Sequence, residues 1–342
     1  MRRMSARGLA VESIHMERAT VGGRLDRSRV ESGRLRGLDS TEPAVVKTPV
    51  RNVFTVDLED WPVAVLGPNE PITGRVVENT LKLLNILHWH GVHATFFVLT
   101  RVAEAFPELI AQVREAGHEI ASHGHNHQLL TRQTPKEFEN DVRRSLDVLQ
   151  QLTGERPMGY RAPAFSVVRE TRWAGPILSR LGFAYSSSVF PILHRRYGIA
   201  TAPRGIHRWD DCPLIECPPA TVRVAGVNLP VAGGGYFRLL PGAVVRAAVR
   251  RLNRAGQPAI LYVHPYELDV DGLTYHADHG VRIGPWRRMT QALGRESFED
   301  RLHRLLESFS FTTMRELLAG DEPKSNEKPP ASVPRAFQDG SL

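Results

Sequence analysis

Short apolar runs alternate with helix-period segments along most of this chain, and that alternation restricts the folds open to it more than any other feature. Residues 52–58 form a β-branched, apolar run that ends in an acidic cluster, DLEDW. Residues 94–99 (ATFFVL) and 118–122 (HEIAS) are short runs of the kind a parallel sheet buries on both faces. Between the first two, residues 75–90 place Val77, Leu81, Leu84 and Leu87 at three- and four-residue spacings before Gly91, which predicts a helix. Residues 101–116 read as helical, interrupted near Pro107 and stopped by Gly117. Pro135 opens a further helix through Leu152, with Phe138, Val142, Leu146 and Leu149 on one face and Gly154 beyond its end. Helices near 171–181, 242–254 and 298–309 and strands near 184–187, 214–217 and 259–264 complete the series.

Alternating β and α segments with buried-type strands argue for an α/β fold, a parallel sheet covered by helices. An open doubly wound sheet and a closed barrel both fit that pattern. No glycine-rich phosphate loop follows the first strand, where Asp57-Leu58-Glu59-Asp60 stands instead, and this argues against a nucleotide-binding sheet. The polar groups cluster at the ends of strands, where a (β/α) barrel builds its site. A barrel is therefore the expectation.

The ends differ from this middle. Residues 1–50 are rich in Arg, Ser and Gly without a sustained apolar period, and residues 321–342 are rich in Pro, Lys, Ser and Asn. Both are expected to be disordered tails around a folded domain at 51–320. Of the net charge of +7, residues 1–50 carry +4, from ten Lys or Arg against six Asp or Glu. The folded part is thus nearly balanced and lacks the basic stripe with interleaved aromatics that nucleic-acid binding needs. No apolar core follows the N-terminal arginines as in a secretory signal, and no stretch approaches the roughly 18 apolar residues of a membrane span. A cytoplasmic location is the expectation. Cys212 and Cys217 are too few for a disulfide framework and read as small buried side chains.

Chemistry concentrates in four places. Strand alternation puts Asp57 and Glu59 on one face, about 6–7 Å apart along the chain. Carboxylates so crowded repel one another unless a cation or a proton intervenes. Ser122-His123-Gly124-His125-Asn126-His127 follows the strand HEIAS directly. Three histidines in five residues at a strand end are hard to explain by packing, and imidazole suits zinc and similar divalent ions. His123 and His127, at i and i+4, can meet at one centre, with His125 turned away. Two histidines and one carboxylate leave a coordination position for water, the layout of a catalytic metal site. Arg161, in the run YRAPAF, could grip a carboxylate through its forked donors, and His264, ending the apolar run YVH, stands where a general acid would. Either could instead be structural, as a salt bridge or a satisfied rim histidine.

The order VDLED, SHGHNH, YRAP, YVHP resembles the polysaccharide deacetylases, the NodB-homology or carbohydrate esterase 4 family. ATFFVL, GHEIASHGHNHQLL, SSSVFP, PVAGGGYFRLLP and FTTMREL resemble most the exosortase-associated exopolysaccharide deacetylases, over about residues 52–318, with a subgroup-specific part at about 195–320. The resemblance implies a distorted (β/α) barrel and a metal-dependent N-deacetylase of N-acetylated polysaccharide, with Zn²⁺, or else Co²⁺ or another divalent ion, as cofactor. It also implies work close to membrane-bound glycan assembly. Asp57 matches the family's base, His123 and His127 two metal ligands, Arg161 the residue that orients the base, and His264 the general acid. The family writes two adjacent aspartates, but Leu58 follows Asp57 here. The carboxylate ligand is then Glu59, kept beside Asp57 by strand alternation, or Asp60 if a turn begins at Leu58. Ser186 stands where relatives carry an aspartate, which leaves the partner of His264 open, with Glu216 as candidate. Trp61, Tyr160, Phe165, Tyr236 and Phe237 could stack on sugar faces, although ordinary packing is the commoner fate of such rings. A hydrolase of small linear or cyclic amides and a non-catalytic carbohydrate-binding protein are the rival readings.

Overall fold

The structure, a computed structural model, describes residues 50–194, 196–231 and 233–320. The tails expected at 1–50 and 321–342 lie, apart from Val50, outside the described residues. Eleven strands are described: β1 (Asn52–Leu58), β2 (Thr95–Val98), β3 (Glu119–Ser122), β4 (Gly159–Tyr160), β5 (Tyr185–Ser186), β6 (His207–Arg208), β7 (Ile215–Glu216), β8 (Thr221–Val224), β9 (Val227–Pro230), β10 (Ile260–Val263) and β11 (Phe311–Thr312). The main sheet runs β10-β1-β2-β3-β4-β5-β7-β6, with β11 also paired to β1, and every pairing but β6–β7 is parallel.

The period of two along β1 explains how the sheet curls around a site. Phe54, Val56 and Leu58 face outward into the largest apolar cluster, against the helices Arg75–Trp89, Thr100–Ala105 and Pro107–Glu115. Val53 faces inward, where it packs with Phe97, Ala121, Tyr185, Cys217, Ile260 and Met314, side chains drawn from around the curled sheet. These fill the bottom of the interior. Thr55, Asp57 and Glu59 follow Val53 on the same face and climb toward the C-terminal ends of the strands. Position along one strand therefore decides between core and chemistry.

The barrel is distorted and incompletely closed. The paired path ends at β10 and β6. The outer edge of β10 is met by non-strand backbone: Ala220 N–H donates to Ile260 O at 2.9 Å and Gly234 N–H to Tyr262 O at 3.1 Å. Gly233 makes this approach possible, since a Cβ there would lie 1.6 Å from Tyr262 O. The result is a curled half-barrel of parallel strands with helices outside it.

The helix Gly242–Arg254 and β1 have the bounds read from the sequence, while the helical stretch at 101–116 is two helices parted at Phe106. The helix Arg75–Trp89 turns a slightly different face inward than its spacing suggested. Val76, Leu83, Leu84 and Leu87 are buried, whereas Val77 and Leu81 are only half-buried. The hairpin β8–β9 was not anticipated; its turn holds Ala225 and Gly226 at φ 47° and 82°. Both cysteines are free thiols, Cys217 buried and Cys212 half-buried.

Candidate active site

Glu59 leaves the end of β1 and His123 the end of β3, two strands away across the sheet. The chain then bends so that His127 returns to the same point. Two residues make that bend possible, Gly124 at φ 76° and His127 at φ 53°. A left-handed conformation at a non-glycine residue costs on the order of 1–3 kcal/mol and persists only where the surroundings enforce it. Asp141, from the helix Pro135–Thr153, supplies the enforcement: its carboxylate accepts the His125 and Asn126 N–H groups at 2.8 and 3.0 Å. A side chain at Gly124 would come within 2.9 Å of Asp141 Oδ2.

The three ligand-type atoms of Glu59, His123 and His127 all lie within 4.8 Å of one another, and all three residues are buried. Glu59 Oε2 stands 2.6 Å from His127 Nε2 and 3.5 Å from His123 Nε2, yet accepts no hydrogen bond. His123 Nδ1 is bound to Arg161 O at 2.9 Å, which leaves Nε2 to face the cluster. Burial pushes the Glu59 carboxyl up, but His127, His123 and His264 together hold it well below the usual carboxylate range. An ionised carboxylate with an unbonded buried oxygen between two imidazole nitrogens is a donor set that fits a divalent cation. His125 lies apart, its Nδ1 2.9 Å from Thr100 Oγ1.

Asp57 is gripped on one side only. Arg161 Nη1 reaches Asp57 Oδ1 at 2.5 Å and Thr55 Oγ1 at 2.8 Å. Its Nη2 and Nε are taken by Ser187 Oγ and Ser187 O, and its guanidinium lies 4.0 Å from the Phe97 ring centre. So Arg161 is a fully buried cation, hydrogen-bonded through each of its three nitrogens, that holds the Asp57 carboxylate in place. Asp57 Oδ2 is left facing His264 Nε2, 3.8 Å away, and the same nitrogen is 3.4 Å from Glu59 Oε1. Asp57, Glu59, His123, His127, Arg161 and His264 are thus brought together at one end of the barrel.

Asp60 is not among them. Its Oδ1 caps the short helix Trp61–Val65 through Trp61 N–H, and its Oδ2 accepts Thr73 N–H at 2.6 Å. Burial raises its carboxyl to about 6 despite those bonds.

Glu216 is not the partner of His264. It is buried elsewhere, with Oε1 accepting the Ser188 and Val189 N–H groups and Oε2 accepting Trp209 Nε1. Those bonds consume it in tethering the chain after β5. The partner is Glu267, three residues beyond the histidine, brought back by the 3₁₀ turn that Pro265 opens. Its Oε2 lies 3.4 Å from His264 Nδ1, and its Oε1 accepts Arg238 Nε at 3.1 Å. Burial opposes charge on His264, but Glu267, then Glu59 and Asp57, lift it to about 9. The signal was present as an acid at i+3 after His-Pro, but it needed the turn to become visible.

Of the aromatics considered for sugar stacking, Trp61, Tyr160, Phe165 and Phe237 are buried packing residues, and only Tyr236 is half-exposed. Its hydroxyl meets that of Tyr197 at 3.2 Å.

Residues 67–185 match the family model for polysaccharide deacetylase, and residues 187–319 match a domain of unknown function, DUF3473. Over residues 67–185 this chain is similar to the polysaccharide deacetylases. A peptidoglycan-N-acetylglucosamine deacetylase of Bacillus cereus is 32% identical over 102 residues, 30% of this chain and 37% of that protein. The chain thus spans little more than a third of this curated relative. Among solved structures, a protein assigned as a polysaccharide deacetylase from Mycobacterium smegmatis superposes with a TM-score of 0.53 at 21% identity, over 80% of this chain and 90% of that one. Puue allantoinase superposes with a TM-score of 0.52 at 15% identity, over 79% and 89%. At these identities the likeness is one of fold. β1 with Asp57 and Glu59 precedes the first matched segment, and Arg238, His264 and Glu267 fall in the second.

Proposed function

We propose that this chain is a divalent-metal-dependent N-deacetylase, a hydrolase that cleaves the amide carbon–nitrogen bond of N-acetylated sugars in a polysaccharide. The observation that carries the reading is the convergence of Glu59, His123 and His127 on one point, around an unbonded carboxylate oxygen, beside Asp57 and His264. A divalent ion held by those three residues, with Zn²⁺ the first choice for such a donor set, would polarise the acetamide carbonyl and acidify water.

Asp57 Oδ2, free because Arg161 engages Oδ1, takes the proton of the attacking water as its oxygen bonds to the carbonyl carbon. His264, protonated at neutral pH, gives its proton to the departing nitrogen as the carbon–nitrogen bond breaks. Acetate and a free amino sugar result. Glu267 keeps that histidine charged and oriented, and Arg238 in turn holds Glu267.

The substrate we infer is an exopolysaccharide of the kind made by exosortase-associated systems, handled on the cytoplasmic side near membrane-bound glycan assembly. The resemblance of SSSVFP and PVAGGGYFRLLP to that subgroup supports this, and the match of residues 187–319 to DUF3473 is compatible with it. No described helix is long and apolar enough to cross a membrane.

Incubation of the full chain with N-acetylglucosamine oligomers and with a panel of small linear and cyclic amides tests the reading. Free amines appearing on the oligomers support it. Turnover of the small amides alone would assign the site to an amidohydrolase instead, and no turnover of either would leave a binding protein.

A further inference from the structure

The helix Pro285–Ala292 turns its apolar side away from the protein. None of its residues is buried. Gln291 marks the side that faces the body: its Oε1 accepts Trp61 Nε1 at 3.3 Å, and its backbone oxygen accepts Arg238 Nη1 and Arg295 Nε at 3.0 and 2.8 Å. With about 3.6 residues per turn, Trp286 and Met289 fall opposite Gln291, and Leu293 continues their line past the helix end. These three are 74%, 50% and 49% exposed. An ordinary surface helix has the reverse arrangement, with its apolar stripe toward the core.

Two neighbouring segments carry further exposed apolar residues. Arg238 Nη1 also binds Leu293 O at 2.8 Å, and Arg295 Nη1 binds Asp269 O at 2.7 Å. Buried Arg238 and Arg295 thereby tie down the residues beside Leu239 and Val270, which are 59% and 51% exposed. Exposed apolar residues thus stand on three segments that buried arginine side chains tie together. Along the helix and its immediate flanks the charge is basic, while Asp271 adjoins Val270. Residues 279–295 contain four arginines and no Asp or Glu, with Asp278 and Glu296 just outside. Arg295 is buried, Arg288 reaches only Thr274 Oγ1, and Arg282 and Arg287 are exposed without an ion-pair partner among the described residues.

We propose that this face docks reversibly on an anionic lipid surface. Trp286, Met289 and Leu293 would seat at the headgroup boundary, with Arg282, Arg287 and Arg288 against lipid phosphates. An exposed tryptophan beside flexible apolar side chains, rimmed by arginines, has the chemistry of helices that lie in a membrane interface. The exposed Arg282, Arg287 and Arg288 favour an anionic partner, and the lack of buried area inside the helix leaves its apolar side free to enter lipid. The hydrogen bond from Trp61, two residues beyond Glu59, puts the docking face at the same end of the barrel as the catalytic cluster. Docking would therefore present the site to material at the membrane surface.

Sedimentation of the full chain with vesicles tests this, comparing phosphatidylglycerol–phosphatidylcholine mixtures with phosphatidylcholine alone. Binding is expected to the anionic vesicles only and to fall as salt rises. A basic residue near an anionic surface is worth about fivefold in partitioning, so Arg287→Glu with Arg288→Glu should cut binding more than tenfold. Trp286→Ala with Met289→Ser should cut it several-fold without changing the melting temperature. Equal sedimentation of the wild type and the Trp286→Ala/Met289→Ser variant would overturn the proposal, as would binding to neither vesicle. A concentration-dependent dimer abolished by Trp286→Ala would assign the face to a second copy of this chain. Quenching of Trp286 fluorescence by soluble N-acetylglucosamine oligomers, with no vesicle binding, would assign it to glycan.

Discussion

Glu267→Gln removes a charge from beside His264 while keeping the shape of the side chain. The variant keeps one acceptor oxygen, which can still take Arg238 Nε at 3.1 Å, while the His264 backbone N–H, bonded to the other carboxylate oxygen at 3.1 Å, loses its acceptor at a cost of about 1–3 kcal/mol. Burial opposes protonation of His264, and Glu267 is first among the groups that overcome it and lift the imidazole to about 9. Loss of an adjacent opposite charge typically moves a pKa by about 1–3 units. A raised histidine pKa means the acid form is present below that value and lost as pH rises through it. A fall of about 2 units would reduce the protonated fraction at pH 8 from about nine-tenths to about one-tenth. kcat/KM for acetate release should then drop about tenfold at pH 8 and less than about twofold at pH 6. The assay is the pH profile of both enzymes between pH 5 and 10 on N-acetylglucosamine oligomers. A basic limb that does not move, or an equal loss at pH 6 and pH 8, would refute the assignment of Glu267 as the group that keeps His264 charged.

The other residues make separate predictions. His123→Ala and His127→Ala should each abolish metal retention and activity, whereas His125→Ala, whose ring meets Thr100, should keep most of both; elemental analysis of the purified variants checks this. Asp57→Asn should retain the metal and lose about 10²–10⁴-fold in rate, while Glu59→Gln should weaken metal affinity and regain part of its activity in excess metal. Asp60→Ala should lower the melting temperature through loss of a helix cap, about 1 kcal/mol, and leave metal content unchanged. Arg161→Met would leave Asp57 buried without its cation, a loss of about 3–5 kcal/mol readable by denaturant titration.

The parts legible in the sequence were those set by local periodicity. β1 keeps its sequence-read bounds because the β-branched run ends at Leu58, ahead of Glu59-Asp60, and its period of two also placed Asp57 and Glu59 on one face. The helix Pro135–Thr153 followed from its apolar spacing and from Pro135 at its start; the structure adds a capping box at Thr134. The inward face of Arg75–Trp89 was misjudged because Val77 and Leu81 lie at the margin of the stripe, half-exposed, where spacing alone does not decide. The hairpin β8–β9 was missed because its turn, Ala225-Gly226, lacks the Asn-Gly signal of tight hairpins and its strands carry exposed apolar residues. Glu216 looked like a partner for His264 because it ends an apolar run, yet only the tertiary fold shows that Trp209 and the backbone after β5 consume it. Glu267 was hidden for the opposite reason. A 3₁₀ turn, which no apolar period announces, folds it back onto the histidine.

Acetate release from N-acetylglucosamine oligomers by the full chain, measured with metal bound, after chelation, and after reloading with Zn²⁺ or Co²⁺, tests the central claim most directly. Activity should disappear with the metal and return on reloading in the wild type, and should not return in His123→Ala. Acetate release that persists after complete chelation, or that His123→Ala retains in full, would contradict the assignment of Glu59, His123 and His127 as the metal site.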